Sequence, residues 1–218
     1  EKEKFLIVDH GCGKSYLGFI LYDLFIKNTL GSLTGIESRN ELVESAKNLS
    51  RELKFERMSF INSDIENSKK LILDNVDMIT ALHACDTATD DAIHFGLERK
   101  VKYMLLAPCC QAEVAKCLKS NKTQSLKKPL AELWRHGIHT VEMGSHLTNV
   151  LRCLFLESQG YKVTVTELVG WEHSMKNELI IAEYIGSKKG NAIERIDNIL
   201  EEFNLQTLKP RFNFNQKN

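Results

Sequence analysis

The stretch Phe5–Leu17, FLIVDHGCGKSYL, decides how the rest of the chain is read. It opens as a short apolar run, Phe5-Leu6-Ile7-Val8, passes through Asp9, and turns on Gly11 and Gly13 before a helical pattern starts at Tyr16. A buried parallel strand, a glycine turn and a helix, in that order, form the entry to a nucleotide-type cofactor site. Glycine suits the turn because a residue without Cβ accepts a positive φ and lets a ligand approach the backbone. The free amide hydrogens of the next helical turn then face that ligand.

Two phosphate-binding alternatives fail on spacing. Gly13-Lys14-Ser15 ends like a phosphate-binding loop, but the first glycine of that motif would fall at Val8, inside the strand. A dinucleotide fingerprint needs a third glycine where Tyr16 stands. What remains, Asp9-x-Gly11-x-Gly13 around Cys12, resembles the first motif of the S-adenosylmethionine-dependent methyltransferases. A glycine turn between any strand and any helix would look the same, so the later positions decide.

Tyr16 to Lys27 reads as an amphipathic helix with Leu17, Ile20, Leu21, Leu24 and Phe25 on its buried face. Ser32 to Ile36 is a second strand closing on Glu37, and a helix from about Asn40 to Lys54 follows, with Leu42, Val43, Ala46, Leu49 and Leu53 inward. An acid at the end of a second strand, roughly 20 residues past the glycine turn, can hold a ribose hydroxyl pair by accepting two hydrogen bonds. Met58 to Ile61 is a third strand leading to Asp64 and Ile65. A fourth strand spans Val76 to Leu82, a helix runs from Thr87 to about Lys100, and Lys102 to Ala107 forms a fifth strand. Alternating strands and helices imply a parallel sheet with its ligand outside the strands' carboxyl ends.

Beyond Glu113 the chain turns basic. Lys116, Lys119, Lys122, Lys127 and Lys128 occur with no acid before Glu132, which fits either a solvated helix end or phosphate contact. Trp134 to His136 reads as a loop before a helix from about Glu142 to Gln159, whose core face is Leu147, Val150, Leu151, Leu154 and Phe155. Tyr161 to Leu168 and Leu179 to Ile185 are β-like and Asn191 to Leu205 is a last helix. One domain is expected over 1–205, with a loose tail over 206–218.

Three later segments make the resemblance specific: His83-Ala84-Cys85-Asp86-Thr87-Ala88-Thr89-Asp90, then Ala107-Pro108-Cys109-Cys110, then Trp171-Glu172-His173-Ser174-Met175-Lys176-Asn177. Together with the glycine turn they resemble the methyltransferase family that includes the transfer-RNA 2'-O-methylating enzymes and the methyltransferase-like 25 domains, over about residues 5–185. The resemblance implies an α/β, Rossmann-like class I methyltransferase fold. Its sheet is mostly parallel and seven-stranded, in the order 3-2-1-4-5-7-6, with antiparallel terminal strands and helices on both faces. It implies S-adenosylmethionine as cofactor, held by Asp9, Gly11, Cys12, Gly13, Glu37, Asp64, Ile65 and His83. Asp64 would accept from the adenine amine while Ile65 packs on the ring. It also implies an RNA substrate, tRNA or rRNA. A small-molecule or protein acceptor, or a non-catalytic cofactor-binding module, stands as the alternative. Cys85-Asp86 departs from the Cys-Gly of the transfer-RNA branch, which bears on the substrate more than on the cofactor.

Methyl transfer from a sulfonium is an in-line displacement, so the protein must chiefly align the acceptor about 3 Å from the methyl carbon and exclude water. For an oxygen acceptor, His83, Asp86 or His173 could take the proton. Cys109, after Pro108, resembles the nucleophile of cytosine-5 methyltransferases, a role that requires a lowered thiol pKa. Zinc on His83, Cys85, Cys109 and Cys110 is a lesser alternative, because adjacent cysteines seldom ligate one ion, and no metal is expected.

Composition sets the outer bounds. With 29 basic and 29 acidic residues and a pI near 7.2, the chain is not a strongly basic nucleic-acid binder, although a local patch is compatible. Its six cysteines show no C-x-x-C spacing and read as reduced thiols of a cytoplasmic protein. No run approaches the about 18 apolar residues of a membrane span, and no signal-peptide pattern opens the sequence.

Overall fold

The computed structural model describes residues 4–72, 75–82, 84, 87–108, 112–120, 129–168 and 177–212. Seven strands form one sheet in the order β3-β2-β1-β4-β5-β7-β6. They are β1 (Leu6–His10), β2 (Ser32–Glu37), β3 (Met58–Asn62), β4 (Met78–Leu82), β5 (Tyr103–Ala107), β6 (Tyr161–Glu167) and β7 (Glu178–Tyr184). β1 through β5 pair in parallel, and β7 runs antiparallel to β5. Fold class and strand order are those that the family resemblance implied.

The chain divides into two compact units, one of Glu1–Cys109 with Thr164–Tyr184, the other of Cys110–Val163 with Ile185–Asn218. In the first unit the period-2 alternation of the strands sorts the core into two layers. Ile7, Leu33, Met58 and Met78 are register partners on one face, packed with Phe19, Tyr22 and Ile26 and with Val43 and Ala46 of α2 (Asn40–Glu52). Val8, Ile79 and Met104 are partners on the other face, toward α4 (Thr87–Arg99). There Gly96 allows close approach, since a Cβ would stand 2.5 Å from Met104 and 2.9 Å from Ile79. Helices therefore cover both faces of this unit's sheet. The short α3 (Ile65–Ser68) follows β3.

The helix after the glycine turn departs from the periodic expectation. It is α1 (Tyr16–Leu21) continued by a π-helical turn, Tyr22–Ile26, in which the Lys27 amide donates to the Tyr22 carbonyl five residues back. Phe19, Tyr22 and Ile26 are buried, whereas Ile20, Leu24 and Phe25 are more than half exposed. The segment is apolar on every side, so apolar spacing cannot choose a face. Gly18 chooses it, because a Cβ there would meet Ser15 Oγ at 2.3 Å and Met58 at 3.2 Å. A smaller shift occurs in α2, where Val43, Ala46 and Ser50 are buried while Leu49 and Leu53 are exposed.

The second unit is helical: α5 (Glu113–Ser120), a 3-10 helix Pro129–Trp134, α6 (Gly137–Ser158), α7 (Ala192–Glu202) and a 3-10 helix Gln206–Phe212. α5 crosses α6 at Gly144, where a Cβ would lie 2.7 Å from the Ala115 amide. The expected loop at Trp134 is the end of a 3-10 helix, and Trp134 is buried against Phe203 with ring centroids 5.3 Å apart. α6 begins five residues earlier than expected, and its first turn buries Thr140 while the apolar Ile138 and Val141 stay more than half exposed. The segment expected as a loose tail starts as the 3-10 helix, with Leu208 and Phe212 buried and Arg211 paired to Glu113 at 2.7 Å.

Candidate cofactor site

The glycine turn is fixed at both ends. Gly11 and Gly13 hold φ of 62° and 57°, the left-handed region that favours glycine. Ser15 also sits at φ 54° as the N-cap of α1, an uncommon conformation for a residue with Cβ. It is held there by Asp9, whose Oδ2 accepts from Ser15 Oγ at 3.4 Å while its Oδ1 accepts from Thr80 Oγ1 at 2.6 Å. Asp9 thus ties β1 to β4 and pins the far side of the turn. Burial raises its carboxyl to about 6, only partly offset by the Thr80 and Ser15 hydrogen bonds.

On its other side the turn meets β2. The Cys12 amide donates to the Ile36 carbonyl at 3.0 Å, and the Gly13 amide donates to Glu37 Oε2 at 2.9 Å. Cys12 Sγ and the Phe60 ring lie over Gly35, where a Cβ would come within 2.9 and 2.6 Å of them. Burial pushes the Cys12 thiol up, with Asp9 and Glu37 adding to the effect, so it is no thiolate nucleophile.

Glu37 is 5% exposed and collects several donors. Oε1 accepts from the Arg39 amide at 3.0 Å and from Arg39 Nε at 3.0 Å, and Oε2 accepts from Arg39 Nη2 at 3.2 Å as well as from Gly13. Burial alone would raise this carboxyl, but the Arg39 side chain and the two amides outweigh it and hold the group down at about 2. Arg39, the N-cap residue of α2, is the participant that sequence reasoning missed. Its spacing of two from Glu37 across a strand-to-helix bend was the available clue.

The third acid is placed differently. Asp64 is exposed and caps α3, accepting from the Asn67 amide at 2.7 Å and from Asn67 Nδ2 at 2.8 Å, and Ile65 is buried behind it. The end of β3 is nevertheless joined to that of β2, since the Ser63 amide and Asn62 Nδ2 both donate to the Glu37 carbonyl at 3.1 Å. Of the expected site, the structure brings Asp9, Gly11, Cys12, Gly13 and Glu37 together around one turn, with Asp64 and Ile65 at the next strand end. His83, Asp86, Cys109 and His173, the expected catalytic residues, lie outside the described residues, as do Cys85 and Cys110.

His10, at the end of β1, is fully buried and edge-on to Phe95 at 4.6 Å, and neither ring nitrogen has a hydrogen-bond partner among the described residues. Burial, aided by the charge of Arg99, lowers its pKa to about 3, which makes it a neutral core side chain. Among the described residues no group of three or more His, Cys, Asp or Glu could hold a metal ion. No helix of the described residues is long and apolar enough to cross a membrane. A groove of about 490 Å³ between α2 and β3, lined by Lys47, Arg51, Lys54 and Phe55 among others, lies at the amino end of β3, away from the glycine turn.

The arrangement fits an adenosine-type cofactor. A walled-in, ionised carboxylate facing a glycine amide offers two acceptor oxygens to a ribose diol, and the Cβ-free turn leaves the backbone open to approach. Comparison with known proteins agrees with the fold. The chain is similar to an rRNA methylase of Streptococcus thermophilus (10% identity, TM-score 0.51, covering 84% of this chain and 88% of that one). It is similar to the fibrillarin pre-rRNA processing protein of Methanococcus jannaschii (14%, 0.51, 85% and 69%). It also resembles a Podospora anserina methyltransferase bound to S-adenosylhomocysteine (11%, 0.52, 82% and 71%). No curated protein sequence matches the chain significantly. A family model described as a methyltransferase domain matches residues 1–117, more than half of the 218, and the chain belongs to that methyltransferase-domain family.

Proposed function

We propose that this chain is an S-adenosylmethionine-dependent methyltransferase acting on RNA, a tRNA or an rRNA. The observation that carries the cofactor assignment is the Glu37 carboxylate, ionised and buried at the end of β2 and bonded to the Gly13 amide. S-adenosylmethionine, when bound, supplies an electrophilic methyl group on a sulfonium. Glu37 would orient the ribose, the Gly11–Gly13 backbone would lie against the ligand, and Asp9 would keep the turn in shape through Ser15. Asp64 and Ile65 are proposed for the adenine, which asks the Asp64 carboxylate to share its cap with the exocyclic amine.

The RNA assignment is supported by the family resemblance and by the lysine-rich stretch, of which Lys116 and Lys119 are exposed on α5. The rRNA methylase and fibrillarin likenesses point the same way. His83, Asp86 and His173 are proposed as acceptors of the proton lost from a hydroxyl, and Cys109 as the nucleophile if the acceptor is a pyrimidine carbon.

Calorimetric titration with S-adenosylhomocysteine tests the cofactor, and Glu37→Gln should weaken binding about tenfold or more, since a charged acceptor of two hydrogen bonds is lost. Incubation with tritiated S-adenosylmethionine and separated RNA, protein and metabolite fractions tests the acceptor. Label in RNA, lost on His83→Ala or Asp86→Ala for an oxygen acceptor, is the expected result. Label confined to protein or metabolites would replace RNA by that acceptor, and tight binding without label in any fraction would leave a cofactor-binding module.

A further inference from the structure

The Glu37 carboxylate that would hold the cofactor's ribose is already saturated. A carboxylate offers about four acceptor directions. Oε1 accepts from the Arg39 amide, from Arg39 Nε and, at 3.4 Å, from Ser38 Oγ, and Oε2 accepts from the Gly13 amide and Arg39 Nη2. The guanidinium also extends toward the glycine turn, with Nη2 3.9 Å from where a Cβ on Gly13 would stand. We propose that Arg39 is a latch on the ribose seat: its guanidinium holds Glu37 in the free chain and must let go before a ribose diol can bind.

The donors differ in what a ligand can displace. The Gly13 and Arg39 amides are fixed by the turn and by the start of α2, where the Leu42 and Val43 amides donate to the Arg39 carbonyl at 3.1 and 3.2 Å. The guanidinium is mobile by comparison, on a side chain 62% exposed against 5% for Glu37. On release it passes into water at little cost, whereas Glu37 stays buried and needs two donors in exchange. A ribose supplies two hydroxyl donors, so the count at Glu37 is conserved and the net cost is the loss of one charge-assisted pair. That cost appears as a reduced apparent affinity, because only the open fraction of the chain accepts ligand. Arg39 makes no side-chain cap to α2, so its truncation leaves the helix start unchanged.

The inference rests on the reading of Glu37 as the ribose carboxylate, and one set of titrations separates the two. S-adenosylhomocysteine is titrated calorimetrically into the unaltered chain, Arg39→Ala, Arg39→Lys and Glu37→Gln, with the unfolding midpoint of each recorded. The latch requires Arg39→Ala to bind about two- to fivefold more tightly than the unaltered chain, the range expected on removing a partly exposed ion pair. Arg39→Lys should fall between, because an ammonium cannot reproduce the paired Nε and Nη2 contact. Binding to Arg39→Ala that is unchanged or weaker, while Glu37→Gln still loses affinity, overturns the latch and keeps the cofactor reading. Absence of binding in every chain, or a Glu37→Gln variant that binds like the unaltered one, overturns the cofactor reading and the latch with it.

Discussion

Asp9→Asn should make the folded chain more stable, and by an amount that grows with pH. Asp9 is 3% exposed, and its carboxyl is raised from 3.8 to about 6, because burial outweighs the Thr80 and Ser15 hydrogen bonds. A folded state that holds the proton more tightly than the unfolded chain gains stability that is fully present below pH 3.8 and is lost as pH rises through about 6. The distance between the two values corresponds to about 3 kcal/mol when complete. Between pH 5 and pH 8 the part still to be lost is about 1.4 kcal/mol. Asparagine has no such titration, keeps an oxygen for Thr80 Oγ1 and can donate its amide to Ser15 Oγ. Urea unfolding of both chains at pH 5, 6, 7 and 8 gives the difference directly, and histidines that titrate in this range cancel because both chains carry them. The expected result is a variant advantage that widens by about 1.4 kcal/mol and levels off near pH 7 to 8. An advantage that stays flat, or that narrows with pH, refutes the assignment of a raised carboxyl to Asp9.

The buried face of the first helix is testable by truncation: Phe19→Ala should cost about 3 kcal/mol or more in urea unfolding, whereas Phe25→Ala and Ile20→Ala should stay within about 0.5 kcal/mol. The opposite ranking would restore the face that apolar spacing suggests. Gly35→Ala should destabilise by about 1–3 kcal/mol and weaken S-adenosylhomocysteine binding, because its Cβ would press on the Phe60 ring and Cys12 Sγ beside the turn. Gly144→Ala should lower stability with unchanged binding, since Gly144 and the Ala115 backbone that its Cβ would meet both lie in the second unit, and a neutral outcome would deny the close α5–α6 crossing.

How much of this was legible in the sequence depends on what each pattern encodes. The strands β1 to β5 were found within a residue or two, because each is a short apolar or β-branched run bounded by turn residues, and such runs suit little else in a chain of this length. The glycine turn and Glu37 were legible because positive φ and a strand-end acid are local requirements. The face of α1 was not, since Leu17, Ile20, Leu21, Leu24 and Phe25 compete with Phe19, Tyr22 and Ile26 for the same core, and a π turn re-phases the last of them. Arg39 was missed for a different reason. Its contact is set by how the end of β2 bends into α2, and nothing in the residue type tells a latch from a solvated arginine.

Asp9 and Glu37 sit at neighbouring strand ends, yet their surroundings drive them apart. Asp9 is met by two neutral hydroxyls and titrates near 6, while Glu37 is met by a guanidinium and two amides and stays ionised down to about 2. Only the second offers a ligand a charge at every working pH, and only its arginine partner can be exchanged for ligand hydroxyls without opening the core. Thr80 and Ser15 are themselves buried, so a ligand cannot replace them on Asp9. The affinity for S-adenosylhomocysteine should therefore show no change through about pH 6 that depends on Asp9, because Glu37 does not change state there and Asp9 is proposed to shape the turn, and any change owed to His83 would be shared by Asp9→Asn. An affinity that changes through about pH 6 in the unaltered chain and stays level in Asp9→Asn would show that Asp9 touches the ligand, and the division of labour between the two carboxylates would fall.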